Sequence, residues 1–321
     1  MGKNLPSLQL YRTTELSSQQ IESMCSLFEN TFHHSKTPKQ FLRQFTNTGF
    51  SKGSYHILEE IDGEVVSMIS FIPYRYMIKG AIKTAVLGGD SIVTAKTRLG
   101  IGCLLEMYKM AAKQLTAEGF SFLYGIPNNN LYEYDKKVVR MLEVCTLDFY
   151  VLPINLAKLK RVFTLIQWLY YPCVQLFLHF MSVLVSRKTV SFAIEKIDDE
   201  QFRNQRYDER HQRVRIDEKT DAFYSLYQEG NTPVAYIVDI TPFSQQSFYK
   251  AFIKIASLTK KEVALIAYPA NRLPFFTPLR VPQRFLPRKL RVVLQDYNDP
   301  KSDFLTNPKE WNFNLSNIDV R

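Results

Sequence analysis

The stretch from Gly88 to Leu115 (GGDSIVTAKTRLGIGCLLEMYKMAAKQL) combines an apolar strand, a polar turn with two glycines and a long amphipathic helix. A second apolar run, residues 120–127 (FSFLYGIP), follows the helix and predicts a buried strand. Because a helix that connects two strands implies a parallel pair, this stretch predicts a mixed sheet with a helix packed on it. The predicted apolar stripe of the helix consists of Ile101, Leu104, Leu105, Tyr108, Ala112 and Leu115.

Two other stretches of the chain share one pattern. Residues 54–73 and 222–242 each contain an alternating strand, a turn with an acidic residue and a glycine, a second alternating strand and a closing proline. Each predicts a hairpin that precedes a helix and an apolar strand, which indicates an internal duplication. The predicted fold class is α+β (α/β), with a mixed, mostly antiparallel sheet flanked by helices. The predicted domains are residues 1–155 and 189–321, joined by an apolar helical connector at 156–188.

The connector contains an almost wholly apolar run, residues 161–185 (RVFTLIQWLYYPCVQLFLHFMSVLV), which is long enough to cross a bilayer. Pro172 in its middle and three polar residues argue against a simple span. The sequence favours a kinked helix, or a helix pair, packed between two domains. A peripheral membrane contact through residues 161–187 and a true span stay open as alternatives. The basic residues that flank the run are Lys158, Lys160, Arg161, Arg187 and Lys188.

The net charge of the chain is +10, which suits an anionic partner such as nucleic acid, an acidic membrane or a phosphorylated cofactor. Acidic residues interrupt the arginine-rich run at 203–215, so a solvated face is favoured there over nucleic-acid binding. The four cysteines are far apart and predict no metal site. The first residues lack the apolar core of a signal peptide, so we expect a cytoplasmic protein, with association at the inner face of the membrane left open. The oligomeric state is not indicated.

The glycine turn has two interpretations. A phosphate site built from the backbone needs N–H groups that point into one concavity, with a helix N-terminus behind them. Gly100 and Gly102 would let such a backbone approach closely, and Lys96 and Arg98 would neutralise phosphate charge. The alternative is a tight turn whose glycines serve packing alone. The G-x-G-x-x-G pattern of dinucleotide-binding folds is absent.

The order of elements over residues 8–153 resembles the GCN5-related N-acetyltransferase (GNAT) family. In that family the pattern Q/R-x-x-G-x-G/A opens the long helix, and its amides bind the pyrophosphate of acetyl-CoA. In ungapped register Thr97 takes the Q/R place, and Arg98 stands one position later. The run FLYGIPNNNLYEYDKK (122–137) also resembles the family, with an asparagine followed by tyrosines. The second half resembles a diverged copy, as in tandem acetyltransferases of bacterial surface-polysaccharide gene sets.

The resemblance implies acetyl transfer from acetyl-CoA (coenzyme A) to a primary amine, of a small molecule or an amino sugar. It implies that Tyr134 acts as the acid, with Tyr132 as the alternative. Asp90 is the candidate base, with a turn-capping role as the alternative, and Glu59 or Glu60 is a further candidate. The cofactor-binding residues implied by the resemblance are Ile92, Val93, Thr94, Lys96, Arg98, Leu99, Gly100, Ile101, Gly102, Cys103 and Asn128.

Two rival hypotheses stay open at this point. The first is a non-catalytic GNAT-like binding module, which the displaced Arg98 favours. The second is a tandem transferase that uses aminoacyl-tRNA, which the basic charge would suit. Such an enzyme does not need a pyrophosphate turn, however, and the turn is present. Binding of acetyl-CoA separates the enzyme hypothesis from the binding module.

Overall fold

The computed structural model describes residues 8–46, 48–286, 289–298 and 303–318. The first eleven elements are β1 (Leu8–Arg12), α1 (Ser18–Phe32), α2 (Pro38–Thr46), β2 (Tyr55–Ile61), β3 (Glu64–Ile78), β4 (Ala81–Val93), α3 (Cys103–Ala117), β5 (Phe122–Gly125), α4 (Asn129–Tyr134), β6 (Leu142–Thr146) and β7 (Asp148–Pro153). The others are α5 (Leu156–Leu159), α6 (Thr164–Leu184), β8 (Ile194–Lys196), α7 (Glu200–Arg206), β9 (His211–Arg215), β10 (Asp221–Glu229), β11 (Thr232–Thr241), α8 (Gln245–Thr259), β12 (Leu265–Ala270), β13 (Arg280–Val281) and β14 (Arg291–Asp296).

The chain forms two compact units that interleave along the sequence. Unit 1 contains the described parts of Met1–Cys145, Ile194–Arg206 and Leu290–Asn307. Unit 2 contains the described parts of Thr146–Ala193, Tyr207–Lys289 and Pro308–Arg321. The sequence prediction placed two consecutive domains instead, because a pattern along the chain does not show which distant segments join one sheet.

Each unit is built on one mixed sheet, and the predicted α+β class is confirmed. The sheet of unit 1 has the order β1-β2-β3-β4-β5-β14-β6, with β8 paired to β3. The sheet of unit 2 has the order β13-β7-β12-β11-β10-β9. Strands β4 and β5 are parallel, as predicted, and so are β11 and β12. Both predicted hairpins, β2–β3 and β10–β11, are present and antiparallel.

Two strands, β14 and β7, do not belong to the same sheet as the strands that lie next to them in the sequence. β14, near the end of the chain, pairs with β5 in unit 1. β7 pairs with β12 in unit 2, although only Leu147 separates β7 from β6 in the sheet of unit 1. In both sheets the strand beside the second parallel strand therefore comes from the distant part of the chain.

Helix α3 covers the sheet of unit 1 with an apolar face that agrees with the predicted stripe only in part, since Tyr108 and Leu115 of that stripe are buried. Met107 and Ala111 are buried against Ile57 and Val86 of the sheet. The predicted stripe member Leu105 is only half-buried. The helix thus exists where it was predicted, but its buried face is rotated because the sheet decides which side is covered.

The apolar connector contains the short helix α5 and the long helix α6, and α6 passes through Pro172 without a break. Val174 and Leu178 on its inner face belong to the core of unit 2, together with Phe252 of α8. Within the described parts of the chain, no helix is both long enough and apolar enough to span a membrane. The inner face of α6 packs within unit 2.

Candidate cofactor and catalytic site

Strand β4 carries a bulge and an open edge in unit 1. Met68 pairs with Ile92 and Ser70 with Gly89, so Asp90 and Ser91 stand opposite the single residue between Met68 and Ser70. β5 pairs with β4 only at Ala85, Val86 and Leu87. Beyond these positions no described strand pairs with the β5 side of β4. The backbone groups of the β4 segment 88–93 on that side are therefore available to a ligand.

The turn after β4 is anchored by the buried carboxylate of Glu59 on β2, which is 0% exposed. The Thr97 hydroxyl donates to this carboxylate at 2.5 Å, and the backbone N–H of Arg98 donates at 2.9 Å. The Cys103 Sγ lies 3.6 Å from one of its oxygens. A buried charge requires such partners. Glu59 therefore holds the turn in place and does not face a cleft as a base, and Thr97 points to Glu59 rather than to a ligand.

The two glycines of the turn leave open space at the start of α3. Gly100 has a φ of +60°, and a Cβ added to either Gly100 or Gly102 would meet no atom within 4 Å. The residues Gly100–Gly102 form a short 3-10 turn that leads directly into α3. The first N–H groups of a helix lack intrahelical partners and attract anions. The residues predicted to hold a pyrophosphate, from Lys96 to Cys103, thus lie together around this N-terminus; Lys96 is exposed and pairs with Glu64.

Asn128 lies at the beginning of α4 and caps it. Its side-chain oxygen accepts hydrogen bonds from the backbone N–H groups of Asn130, at 3.1 Å, and Leu131, at 3.0 Å. The capping interaction accounts for the asparagine as a local structural residue. A cofactor contact of Asn128 stays a prediction.

The two candidate tyrosines occupy different environments. Tyr132 is buried, its hydroxyl donates to Glu143, and the Arg291 guanidinium lies 4.2 Å from its ring centroid. Tyr134 is half-buried, and its hydroxyl lies close to the backbone of Leu105 in the first turn of α3. Burial raises the pKa of Tyr134, so its hydroxyl stays protonated at neutral pH. The geometry is therefore more favourable for Tyr134 than for Tyr132 as a proton donor beside the glycine turn.

Asp90 lies in the bulge with a φ of +48° and is held in a buried ion pair. The Lys36 ammonium donates to its carboxylate at 2.8 Å. Lys36 also donates to Gln44 and lies 4.3 Å from the ring centroid of Phe28. The Asp90 carboxylate would have to weaken its ion pair with Lys36 before it could accept a proton from an amine.

A second buried carboxyl, Asp135, lies next to Tyr134 and was missed by the sequence reasoning. Asp135 is 2% exposed, and its Oδ1 has no hydrogen-bond partner among the described residues. The Tyr108 hydroxyl lies close to this carboxyl and to the Ser91 side chain in the bulge. Burial raises the pKa of Asp135 to about 7. A chain of three polar groups thus links the bulge to a carboxyl that can take up or release a proton near neutral pH.

The equivalent edge is occupied in the described part of unit 2. β12 pairs with β11 only at Val234, Ala235 and Tyr236. Beyond them, Asn314 donates to Asp239 of β11 at 2.9 Å and forms a β-bridge with Ala270 of β12. The segment around Asn314 therefore fills the position that is open in unit 1. The helix that follows β11 begins at a serine cap, Ser244, and not at a glycine turn.

Among the residues that the structure describes, no group of three or more histidine, cysteine or acidic side chains could hold a metal ion. The four cysteines are free thiols, and burial raises the pKa of Cys103. Cys103 is therefore a packing residue at the start of α3 rather than a ready nucleophile.

Comparison with known proteins supports this description of unit 1. Residues 12–136 match the family model for the acetyltransferase (GNAT) domain. These residues include the bulged strand β4, the glycine turn, α3 and Tyr134. No curated protein matches the chain.

Solved structures share the fold across both units. A GCN5-related N-acetyltransferase from Anabaena variabilis ATCC 29413 has a TM-score of 0.55 and 11% identity, covering 91% of this chain and 73% of that one. A conserved protein of unknown function from Enterococcus faecalis V583, a probable N-acyltransferase, has a TM-score of 0.56 and 11% identity, covering 93% and 74%. A GCN5-related N-acetyltransferase from Kribbella flavida has a TM-score of 0.57 and 10% identity, covering 91% and 71%. The comparisons show a GNAT-like fold and support acyl transfer in general.

Proposed function

We propose that unit 1 is an N-acetyltransferase that transfers an acetyl group from acetyl-CoA to a primary amine. The observation that carries this proposal is the bulged strand β4, whose open edge leads into a glycine turn anchored by Glu59 at the N-terminus of α3. Such an arrangement offers backbone donors to a pantetheine chain and to a pyrophosphate in sequence. The family match over residues 12–136 covers all of these parts.

The residues present fit acetyl-CoA. The N–H groups between Gly100 and Cys103 would hold the pyrophosphate, since the space beside both glycines is open. The open edge of β4 from Ser91 to Val93 would lie along the pantetheine, and its N–H groups would polarise the thioester carbonyl. Bound there, acetyl-CoA supplies an activated thioester.

Two proton transfers accompany the reaction, in which the amine nitrogen bonds to the acetyl carbon and the carbon–sulfur bond breaks. We assign the amine proton to Asp135, through the Ser91 and Tyr108 hydroxyls, because that carboxyl has an oxygen without a partner. Asp90 is then the alternative acceptor and, with Lys36, shapes the same end of β4. Tyr134 would donate a proton to the leaving thiolate.

Unit 2 resembles unit 1 in sheet order but differs from it at the edge that would hold the cofactor. The two sheets share their order around one parallel pair, which supports a tandem duplication. Because Asn314 fills the equivalent edge of unit 2, we assign no cofactor site to that unit. By analogy with tandem acetyltransferases of polysaccharide gene sets, the acceptor would be a small molecule or an amino sugar, and the enzyme would act in the cytoplasm.

The test is a calorimetric titration of the full chain with acetyl-CoA, compared with two variants at Gly102. Gly102 has a negative φ and open surroundings, so a side chain there adds no backbone strain. We expect micromolar binding by the wild type, a weak effect of Gly102→Gln, and loss of about tenfold or more in affinity for Gly102→Glu, whose charge would oppose the pyrophosphate.

Two controls make the titration decisive. Dephospho-CoA keeps the pyrophosphate, so Gly102→Glu should also weaken its binding. Pantetheine has no pyrophosphate, so Gly102→Glu should leave its affinity unchanged. Absence of binding by the wild type at millimolar acetyl-CoA would refute the transferase proposal and favour a non-catalytic binding module.

A further inference from the structure

The outer face of α6 is a largely apolar surface, interrupted by His179, that the described part of the chain leaves uncovered. Six large apolar side chains on it are between 55% and 82% exposed, namely Leu165, Trp168, Leu169, Leu176, Phe180 and Val183. Their spacing of three, four and seven residues places them on one side of the helix. Contiguous apolar surfaces of this kind on folded proteins mark sites of interaction.

The fold of unit 2 does not account for this face. The opposite face of α6, with Val174 and Leu178, supplies the contacts with the core. Gln167 also faces inwards, and its side chain forms hydrogen bonds with the backbone of Ile154 and Leu156. The helix is therefore held by one side, and its other side offers an apolar strip about 30 Å long, as 21 residues at 1.5 Å each imply.

Charge at both ends of α6 points to one kind of occupant. Lys158, Lys160 and Arg161 precede the helix, and Arg187 and Lys188 follow it; all five side chains are exposed. None of the five forms an ion pair in the described parts of the chain. The sequence contains no aspartate or glutamate between Asp148 and Glu195. Uncompensated positive charge at both ends of an apolar strip complements an anionic bilayer surface.

We propose that α6 docks the protein onto an anionic lipid bilayer, lying in the plane of the interface with its outer face among the acyl chains. Trp168 is suited to this depth, because tryptophan rings concentrate at the membrane–water interface, and Phe180 and the leucines suit the buried apolar face. The five basic residues bind the lipid headgroups at either end. This docking does not depend on the proposed transferase activity, and its test uses no acetyl-CoA.

The two tryptophans of the chain provide a direct measurement. Trp168 on the outer face is 75% exposed, whereas Trp311 is 0% exposed. The full-length protein is titrated with vesicles of phosphatidylglycerol and phosphatidylcholine, and then with vesicles of phosphatidylcholine alone. We expect a blue shift of the emission with the anionic vesicles and quenching by lipids labelled near the carbonyl region. Trp168→Phe should remove both responses, since only Trp311 remains.

Matched variants separate the apolar and electrostatic contributions. Leu165→Gln with Leu176→Gln places polar side chains on the exposed strip, and Ile82→Gln changes an exposed apolar residue of unit 1 as a control. We expect the double variant to sediment with anionic vesicles about tenfold less than the wild type and the control to be unchanged. Lys158→Glu with Lys160→Glu should reduce binding to a similar extent, with the largest effect at low salt.

Three outcomes would overturn the proposal. The first is an unchanged Trp168 spectrum with anionic vesicles. The second is equal binding to vesicles of phosphatidylcholine alone, since the basic residues would then play no part. The third is a concentration-dependent dimer with a blue-shifted Trp168 in the absence of lipid, which would assign the strip to a second copy of the chain. Thermal unfolding of each variant verifies that the fold is retained.

Discussion

Asp135 illustrates how one buried side chain couples stability to chemistry. The carboxyl lies at the end of α4 with an unpartnered oxygen and a pKa raised to about 7 by burial. In the unfolded chain an aspartate has a pKa near 3.8. Between these two values the unfolded chain releases its proton first, so the stability of the folded protein falls as pH rises through this window. The buried Asp135 carboxylate lowers the stability of the folded protein above this window. In return it provides a proton acceptor near the bulge of β4.

We predict that Asp135→Asn is more stable than the wild type at pH 8 and equally stable below about pH 4. A shift of about 3 pKa units corresponds to at most about 4 kcal/mol, which the asparagine recovers because it carries no charge to bury. Urea denaturation at the two pH values measures this difference. An equal effect of the substitution at both pH values would show that Asp135 has an ordinary pKa.

The matched variant Tyr108→Phe distinguishes the chemical role of Asp135 from its effect on stability. The substitution keeps the ring in the core but removes the hydroxyl between Ser91 and Asp135. If the proton passes along this path, both variants should lower kcat by about 100-fold or more, with KM for acetyl-CoA unchanged. Only Asp135→Asn should abolish the loss of stability between pH 4 and 7.

The sequence predicted some residues of the site and not others for a physical reason. Gly100 and Gly102 could be identified because a glycine pair before a helix has a local meaning. The pairing of Asp90 with Lys36 and the burial of Asp135 depend on contacts between segments far apart in the chain. Asp135 lies in the polar run YEYDKK, whose composition is typical of a solvated helix surface. No local pattern could indicate that its carboxyl lies in the interior.

At the scale of elements, helix α3 shows which part of a periodic pattern is reliable. The existence of the helix and its parallel strands follow from the sequence, since periodicity and order are local properties. Its rotation about its own axis does not, because apolar residues occupy more than one side. Met107 and Ala111 were not in the predicted stripe and are buried, whereas Leu105 was and is half-buried.

We therefore predict that Met107→Ala destabilises the protein by about 2–5 kcal/mol and that Leu105→Ala costs clearly less. Met107 is fully buried between α3 and the sheet, and its removal would leave a cavity. Urea unfolding monitored by far-UV circular dichroism measures both free energies of unfolding. A larger loss of unfolding free energy for Leu105→Ala than for Met107→Ala would contradict this prediction and favour the stripe that the sequence predicted.

At the scale of the whole molecule, each sheet needs a strand from the other half of the chain. β14 completes the sheet of unit 1, and β7 completes the sheet of unit 2. The repeated hairpin patterns predicted two sheets, but strand partners are chosen by tertiary packing and not by sequence order. Hence the sequence predicted the number of sheets and missed the exchange between them.

We predict that residues 1–206, expressed without the rest of the chain, do not form a stable unit 1. Removal of β14 exposes the edge of β5 and the apolar residues Val293 contacts, and such an edge promotes aggregation. Size-exclusion chromatography and thermal unfolding measure the result, with the full chain as the control. A monomeric fragment with a cooperative transition near that of the full chain would contradict this prediction.

The position of β14 in the sequence also determines when the sheet of unit 1 can be completed during translation. A ribosome releases the chain from its N-terminus, so β1 to β6 emerge long before residues 291–296 are translated. During that interval the sheet of unit 1 has an unoccupied place between β5 and β6. This gap can close only after residues 291–296 have been translated, so until then the nascent chain would profit from chaperones that shield unpaired strands.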